Sequence, residues 1–353
     1  MSSPPGSDWP RAGGEPPVTA RLRALPEDFR VTELPSFEPD GVGQHVLLRV
    51  RKTGVNTDWL AGHLAALIGL PRHAVGYAGR KDRRAVAEQW LSLDLAGRPE
   101  PDWQSLRLPG VEILEAARHG RKLRTGALLG NRFELTLRDL RGDVDGCRNR
   151  LERVSTQGVP NYFGPQRFGR AGDNVARARA MFGGCLRVRG RGLRGILLSA
   201  ARSAIFNAVL AERVRRRDWN RACPGDVLQL AGSRSWFILN AQEDAEVAQQ
   251  RCVEGDVHPT GPLWGRGDPP AVAEIGRLER RVADSFPELV AGLERTGMAH
   301  ARRSLRLAVR EIAWETDGTS AYVGFTLPPG GYATVVLREL VGSPGADPVP
   351  ARA

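Results

Sequence analysis

The chain has 353 residues, a net charge of +11 and a pI near 10.4, and 41% of its residues are hydrophobic. This composition fits a soluble globular protein with two domains of ordinary size, and it makes a polyanion, most simply a nucleic acid, the expected partner. No apolar run approaches the ~20 residues of a membrane span and the N-terminus lacks the apolar core of a signal peptide, so we expect a cytoplasmic protein without a membrane partner.

The basic residues are almost all arginines, since only three of the 51 are lysines. Arginine suits phosphate and base contacts, but a codon bias toward GC-rich triplets would raise the same count, so the excess is supporting evidence only. The four cysteines and six histidines are scattered and show no ligand spacing. We therefore predict reduced, structural thiols and no metal site.

The first third of the chain predicts a strand and a helix before its most informative stretch. Residues 1–17 are rich in Ser, Pro and Gly, as is the segment 342–353, and both are predicted to be disordered. Order is expected from about Ala20. Apolar residues alternate from Val46 to Val50, as in a half-buried strand. Asn56 or Thr57 is predicted to cap a helix that ends at Gly69.

The segment 76–92 places a single carboxylate, Asp82, in a cluster of cations. Alternation on either side predicts two strands joined by a loop that contains Asp82. Gly76 and Gly79 are expected to let the backbone turn tightly and approach a bulky ligand. The neighbouring cations are expected to keep Asp82 ionised, as a nucleophile or base, and to contact phosphates; they are Arg80, Lys81, Arg83 and Arg84. On spacing alone, a second interpretation stays open, in which Asp82 only balances charge on a solvated loop.

Two further strands are predicted between Val111 and Leu140, joined by a basic connector that spans residues 118–124. A run of like charge is either a solvated surface or an RNA contact, and both interpretations stay open here. Alternation from Asn131 to Leu137 puts Phe133 on one face with its apolar neighbours. A helix is predicted from Asp143.

The middle third begins with Asn161–Arg170, which mixes aromatic, amide and basic side chains with glycines. This mixture suits base stacking and phosphate binding, although a structured turn would use the same residues. The Gly-x-Gly-x-x-Gly pattern from Gly190 formally matches a dinucleotide-binding fingerprint. We reject it because the next helix is predicted to start at Ser199, and we expect a flexible cationic loop instead.

The remaining elements follow from periodicity. Helices are predicted over Ser199–Arg217, Ile275–Leu293 and Tyr332–Leu340, and strands over Val227–Leu230, Trp236–Leu239, Leu305–Trp314 and Ala321–Leu327.

Three motifs make the chain resemble the TruD family of tRNA pseudouridine synthases, from about Arg23 to Leu340. They are Gly-Arg-Lys-Asp-Arg-Arg-Ala-Val before Gln89-Trp90, Asn-Tyr-Phe-Gly-x-Gln-Arg-Phe-Gly from Asn161, and Ser-Ala-Ala-Arg-Ser-Ala-Ile-Phe-Asn from Ser199. The resemblance implies an α+β fold, with a pseudouridine synthase catalytic domain whose mixed, mainly antiparallel central sheet is flanked by helices, plus an inserted α/β TRUD domain. We expect a discontinuous catalytic domain, 18–157 and 305–341, and an insertion over 158–304.

The resemblance also implies an activity, the isomerisation of a uridine in tRNA to pseudouridine, typically at position 13 in the D arm. Asp82 matches the family's catalytic aspartate, and no cofactor or metal is implied. Whether Asp82 attacks C1′, adds to C6 or removes the 2′ proton stays open. We expect a monomer.

Other site residues are carried over from the same resemblance. Phe29, Asn131 and Tyr332 are expected to line the uridine site, although Tyr332 stands where the family more usually has phenylalanine. Phe133 is expected to stack on the base, with core packing as the other interpretation. Arg23 stands where a basic residue would pair with Asp82. The residues expected to bind RNA are Arg80, Lys81, Arg83, Arg121, Lys122, Arg124, Arg167 and Arg170.

Two other functions compete with this one. A noncatalytic tRNA-binding protein would use the same basic and aromatic segments, with Asp82 only neutralising charge. A methyltransferase is disfavoured because no glycine-rich loop that ends a strand and opens a helix is present to seat its cofactor.

Overall fold

The structure, a computed structural model, describes residues 9–95, 97–169, 172–240 and 245–342. It divides into two compact units. We call the first the sheet unit, which comprises Pro17–Arg148, Val309–Gly331 and Val341–Ala353. The second is the helical unit, which comprises Met1–Pro16, Asn149–Ala308 and Tyr332–Leu340. The helical unit contains the whole of the predicted insertion and also takes in 332–340, which we had assigned to the catalytic domain.

The strands in chain order are β1 Val18–Leu22, β2 Phe29–Pro35, β3 His45–Thr53, β4 Val75–Tyr77, β5 Val86–Asp94, β6 Val111–His119, β7 Leu128–Gly142, β8 Val159–Pro160, β9 Val227–Leu230, β10 Trp236–Ile238, β11 Val257–Leu263, β12 Ala301–Ser304, β13 Arg306–Leu307, β14 Arg310–Thr316, β15 Ala321–Leu327 and β16 Val341–Gly342. The helices are α1 Thr57–Leu67, α2 Val144–Gln157, α3 Asn174–Phe182, α4 Arg191–Arg215, α5 Ala245–Glu254, α6 Ala273–Asp284, α7 Pro287–Arg295 and α8 Ala333–Leu340.

The sheet unit is built on one sheet with the strand order β14-β15-β7-β2-β5-β3-β6. Strand β4 pairs with β5 at one end of that strand, and β1 pairs with β7 and β16. The β2–β5 and β1–β16 pairs are parallel and the other pairs are antiparallel. This mixed, mainly antiparallel sheet confirms the predicted fold class for the catalytic part.

Strand β3 is buried along one face, and on its other face Leu47 is buried while the Arg49 and Arg51 side chains are 41% and 42% exposed, so the predicted half-buried pattern is confirmed except at Leu47. Val46, Leu48 and Val50 pack in one core cluster with apolar residues of α1, and Leu47 belongs to a second cluster with Trp90. Helix α1 starts where its capping signal predicts, because the Asn56 side chain accepts a hydrogen bond from the backbone N–H of Asp58 at 2.8 Å.

The helical unit has a four-stranded sheet of order β10-β9-β11-β12 beside a long helix, α4. Helix α4 is long and apolar enough to cross a membrane by length and composition, but 56% of its apolar window is buried inside the protein. That burial is typical of the core helix of a soluble protein. A short β8–β13 ladder lies in the same unit.

Three local predictions in this unit are wrong. Helix α4 begins at Arg191 rather than Ser199, with Gly190 at its N-cap, so residues 191–195 are helical and not a flexible loop. The dinucleotide fingerprint still fails, because residues 183–189, directly before Gly190, form no strand. The helix expected over 275–293 is two helices, α6 and α7, which break before Pro287, a residue favoured at the first position of a helix.

The start of the described chain is ordered, so the predicted disorder of residues 1–17 is wrong for 9–16; residues 1–8 lie outside the described part of the chain. The Trp9 ring stacks on the Tyr162 ring with centroids 6.0 Å apart. The Arg150 guanidinium donates hydrogen bonds to the carbonyls of residues 13–15. A buried arginine therefore gives this glycine-rich segment a defined path.

Candidate active site

Asp82 lies in the loop between β4 and β5, as predicted, and both of its carboxylate oxygens have hydrogen-bond partners. Its Oδ2 accepts from the guanidinium of Arg23 at 2.7 Å, and its Oδ1 accepts from the backbone N–H of Arg84 at 3.0 Å. The Asp82 side chain is 39% exposed, so a bound molecule can reach it. The carboxylate is oriented from two sides and open on a third.

The cations of the loop itself point elsewhere, which corrects the expectation that they surround Asp82. Each has its own acceptor: Arg80 Nε pairs with Asp58 Oδ2 at 2.8 Å, Lys81 Nζ with Glu33 Oε2 at 2.5 Å, and Arg83 Nε donates to the Gly54 carbonyl at 2.8 Å. Arg84 supplies a backbone N–H rather than its charge. The one cation that pairs with Asp82 in the described chain is Arg23, 59 residues away in sequence.

The backbone of the loop that carries Asp82 is fixed by Lys52, a fully buried residue near the end of β3. Its ammonium group donates to the carbonyls of Val55 at 2.8 Å and Asp82 at 3.0 Å, and makes a longer contact of 3.4 Å with that of Lys81. Burial lowers the pKa of Lys52 to about 8, against an opposing effect of the Asp82 charge. Sequence reasoning missed this residue, although Lys52 continues the apolar register of Val46, Leu48 and Val50.

Lys81 fixes the same loop from its other side. Its ion pair with Glu33 is almost entirely buried, and its backbone N–H donates to the Thr57 hydroxyl at 3.1 Å, at the start of α1. Thr57 in turn donates to Gln89 on β5 at 2.8 Å. The residue before Asp82 is therefore bound to β2 and α1 rather than available for RNA.

The structure explains the glycine at position 76 by a different close contact from the predicted one. A Cβ at this position would come within 2.4 Å of the Leu123 carbonyl and 2.7 Å of the Ser92 hydroxyl. The close neighbour is therefore the connector between β6 and β7, not a ligand, whereas a Cβ at Gly79 would meet nothing nearer than 3.7 Å.

A row of aromatic rings extends from the Arg23–Asp82 ion pair into the sheet. The Arg23 guanidinium carbon lies 4.0 Å from the centroid of the Phe29 ring, a cation–π contact. Phe29 meets the Phe133 ring edge-on with centroids 6.0 Å apart, and Phe133 packs on Phe325 at 5.5 Å. Phe133 is thus a core residue, 8% exposed, and stacking on a base stays a prediction.

Asn131 carries an unused acceptor on the neighbouring strand β7. Its side-chain oxygen is buried and has no hydrogen-bond partner among the described residues. A buried acceptor without a donor is costly, so this amide is suited to an N–H group of a ligand. Asn131 pairs across the sheet with Glu33, whose side chain binds Lys81 beside Asp82.

The other predicted residues fall into three groups. Tyr332 and Arg167 belong to the helical unit and contact each other, since Arg167 Nη2 donates to the Tyr332 hydroxyl at 2.9 Å. In the basic connector of the sheet unit, Arg121 and Arg124 are exposed and make no ion pair in the described part of the chain, whereas Lys122 donates to the His73 carbonyl. Arg170 lies outside the described residues.

Among the described residues, no group of three or more His, Cys, Asp or Glu side chains could hold a metal ion. The charged groups near Asp82 are cations with carbonyl or carboxylate partners. The arrangement presents one oriented carboxylate, one arginine on an aromatic ring and one free amide oxygen, which suits acid–base or nucleophilic chemistry on a planar polar ring.

Comparisons with known proteins agree on one family. The family model described as tRNA pseudouridine synthase D (TruD) matches residues 12–176 and 173–340. The chain is 46% identical over 330 residues to a tRNA pseudouridine synthase D of Hydrogenovibrio crunogenus, covering 93% of this chain and 94% of that protein. It is 46% identical over 335 residues to that of Methylococcus capsulatus, with coverages of 95% and 94%.

A solved structure shares the fold. The crystal structure of a protein from Methanosarcina mazei described as a tRNA pseudouridine synthase D (TruD) superimposes with a TM-score of 0.75 at 20% identity, over 94% of this chain and 95% of that chain.

Proposed function

The chain belongs to the TruD family of tRNA pseudouridine synthases, and from this premise we propose that Asp82 is its catalytic residue and that uridine 13 in the D arm of tRNA is its target. The protein is an isomerase that makes pseudouridine. The observation that supports the role of Asp82 is its geometry: a carboxylate bound by Arg23 and by a backbone N–H, yet 39% exposed.

The reaction needs no external reagent, because its atoms balance within the nucleotide. The bond from N1 to C1′ breaks and a bond from C5 to C1′ forms, while a proton leaves C5 and N1 gains one. Asp82 acts at the ribose or at the base in this sequence, and Arg23 keeps its carboxylate in one orientation. The target must leave its stack to reach the Asp82 carboxylate, at an expected cost of a few kcal/mol.

The uracil ring is recognised by groups of the sheet unit. The unpaired oxygen of Asn131 is suited to the N3–H donor of uracil. Phe29, which contacts the Arg23 guanidinium, lines the uridine site, and Phe133, whose ring meets that of Phe29 edge-on, stacks on the base. Tyr332 retains its predicted role as a ring that contacts the uridine.

The test compares Asp82→Asn with Asp139→Asn, a matched loss of one negative charge on the same unit. Asp139 is an exposed residue that pairs with Arg21, and its left-handed backbone (φ +54°) tolerates asparagine. We expect Asp82→Asn to lose turnover on unmodified tRNA while its tRNA affinity stays within a few-fold, and Asp139→Asn to keep both. Unchanged turnover in Asp82→Asn would overturn the assignment of Asp82 as the catalytic residue.

The position of the target and the state of the enzyme are tested separately. Pseudouridine mapped in tRNA from cells with and without this protein should differ at position 13, and a change at another position instead would overturn that choice. We propose a cytoplasmic monomer that acts on tRNA without a membrane. Its elution volume in size-exclusion chromatography should correspond to 38.5 kDa.

The proposed domain scheme is a discontinuous catalytic domain with one insertion. It is supported by the two compact units, in which every strand of the large sheet comes from Pro17–Arg148, Val309–Gly331 or Val341–Ala353.

A further inference from the structure

In the helical unit, two arginines from different segments lie against one phenylalanine ring. Arg167 comes from a short 3-10 turn and Arg303 from β12. Their guanidinium carbons lie 5.3 Å and 4.3 Å from the centroid of the Phe163 ring. Ser199 of α4 and Tyr332, just before α8, complete the group, which we call the arginine cluster.

The ring beneath the arginines is held rigidly. Asn207 on α4 is fully buried and binds the backbone of Phe163 twice, since its amide oxygen accepts from the Phe163 N–H at 2.9 Å and its amide nitrogen donates to the Phe163 carbonyl at 3.0 Å. Because both backbone polar groups of Phe163 are bound, its ring has a defined position beneath the guanidinium groups.

Arg167 has binding capacity that the described protein does not use. Of its five N–H donors, one on Nη1 binds the Ser199 hydroxyl at 2.9 Å and one on Nη2 binds the Tyr332 hydroxyl at 2.9 Å. Its Nε is buried without a hydrogen-bond partner. No ion pair with Arg167 is present in the described part of the chain, so both identified side-chain partners are neutral hydroxyls.

The surroundings of the cluster are positive. The pKa of Arg303 is lowered to about 10, mainly by burial and in smaller part by the charge of Arg167, against an opposing effect of Tyr332. The side-chain acceptor of Arg303 is the amide oxygen of Asn161, at 2.5 Å. Two half-buried cations that repel each other on one ring are costly in the free protein, and a bound anion would reduce that cost.

We propose that the arginine cluster binds one phosphodiester of the tRNA backbone through N–H groups of Arg167 that have no partner in the described chain. The proposal rests on the proposed function, because the anion is a phosphate of the tRNA that the enzyme modifies. A planar guanidinium matches the two free oxygens of a phosphodiester. The hydroxyls of Ser199 and Tyr332 act as positioning groups that hold the fork of Arg167 toward the anion.

The first experiment measures tRNA affinity against salt in proteins that also carry Asp82→Asn, so that only binding is measured. Arg167→Gln should weaken binding roughly ten-fold and reduce the slope of log K against log [salt] by about one. Tyr332→Phe should weaken binding about two- to five-fold and leave the slope unchanged, since the charge remains. Arg281→Gln is the matched control, because Arg281 is an exposed arginine of the same unit without an ion pair in the described chain, and it should leave both unchanged.

The second experiment uses neutral methylphosphonates placed one at a time at the phosphates of the tRNA backbone. At one position the Asp82→Asn protein should lose roughly ten-fold in affinity, while the protein that also carries Arg167→Gln loses less than two-fold. Equal losses in both proteins at every position, or no loss in either, would overturn the phosphate site. This measurement on the Asp82→Asn protein does not depend on how well Arg167→Gln folds.

The outcomes separate the two proposals. An unchanged salt slope together with an inactive Asp82→Asn protein would overturn the phosphate site and leave Asp82 in place. A reduced slope together with an active Asp82→Asn protein would overturn the role of Asp82 and leave the phosphate contact.

Discussion

Replacing Lys52 by methionine tests whether a buried ammonium group fixes the loop that carries Asp82. The side chain has no exposed surface, and burial lowers its pKa from 10.5 to about 8. The folded protein therefore binds this proton less tightly than the unfolded chain does. The charged form costs about 3 kcal/mol of folding free energy below pH 8, from the size of the shift.

The sign of the pH dependence follows from proton counting. Between about pH 8 and 10.5 the unfolded chain carries more of this proton than the folded protein, so the free energy of unfolding rises with pH across that window. From pH 7 to pH 9 the gain is on the order of 1 kcal/mol. Lys52→Met has no group that titrates there, so this gain disappears.

The assay is denaturant unfolding of both proteins at pH 7 and pH 9. Relative to Lys52→Met, the native protein should gain on the order of 1 kcal/mol in free energy of unfolding at the higher pH. At either pH, the difference in free energy of unfolding between the two proteins also includes the loss of the three Lys52 contacts to carbonyl groups. The change of this difference with pH is therefore the informative quantity. A difference that is the same at pH 7 and pH 9 would refute the reasoning. In the same variant, kcat should fall while KM for tRNA changes less, because the carbonyl of Asp82 loses its donor.

Two further predictions concern other charged residues. The double variant Arg121→Gln/Arg124→Gln should reduce the salt slope of tRNA binding by about one per lost phosphate contact. Lys122→Gln should change the slope less, because the ammonium group of Lys122 already binds a carbonyl. An unaltered slope in the double variant would mean that the connector does not contact RNA. Arg213→Met should lower the free energy of unfolding by about 3–5 kcal/mol, because it removes the cation that pairs with the buried carboxylate of Asp226 and leaves it, among the described residues, only the backbone N–H of Cys223. A loss below about 1 kcal/mol in denaturant unfolding would contradict this.

Local sequence signals predicted much of the fold around the site. The cap at Asn56 and the two strands around the Asp82 loop were correct, because capping and alternation are properties of neighbouring residues. The start of α4 was wrong because its glycines argue against a helix, while packing of residues such as Leu197 stabilises one. Pro287 was a visible signal for the break between α6 and α7 that periodicity alone concealed.

The partners of the site residues were harder to predict, because sequence proximity is a poor guide to where a long charged side chain points. Lys81 is next to Asp82 in sequence, yet its ammonium group binds Glu33 on another strand. Arg23 is 59 residues away and binds Asp82 directly. Only the resemblance of Arg23 to a family position indicated that pairing, and no local pattern indicated the part played by Lys52.

This division of the cations has a consequence for catalysis. If all the loop cations bound Asp82, a substrate would have to displace several ion pairs to reach the carboxylate. Instead three of them are occupied by other acceptors, and the carboxylate has a single ion pair, whose two side chains are 32% and 39% exposed. An ion pair at that exposure contributes at most about 1 kcal/mol, so a bound nucleotide can replace it at low cost. Buried contacts thus fix the loop backbone while the Asp82 carboxylate stays easy to reach.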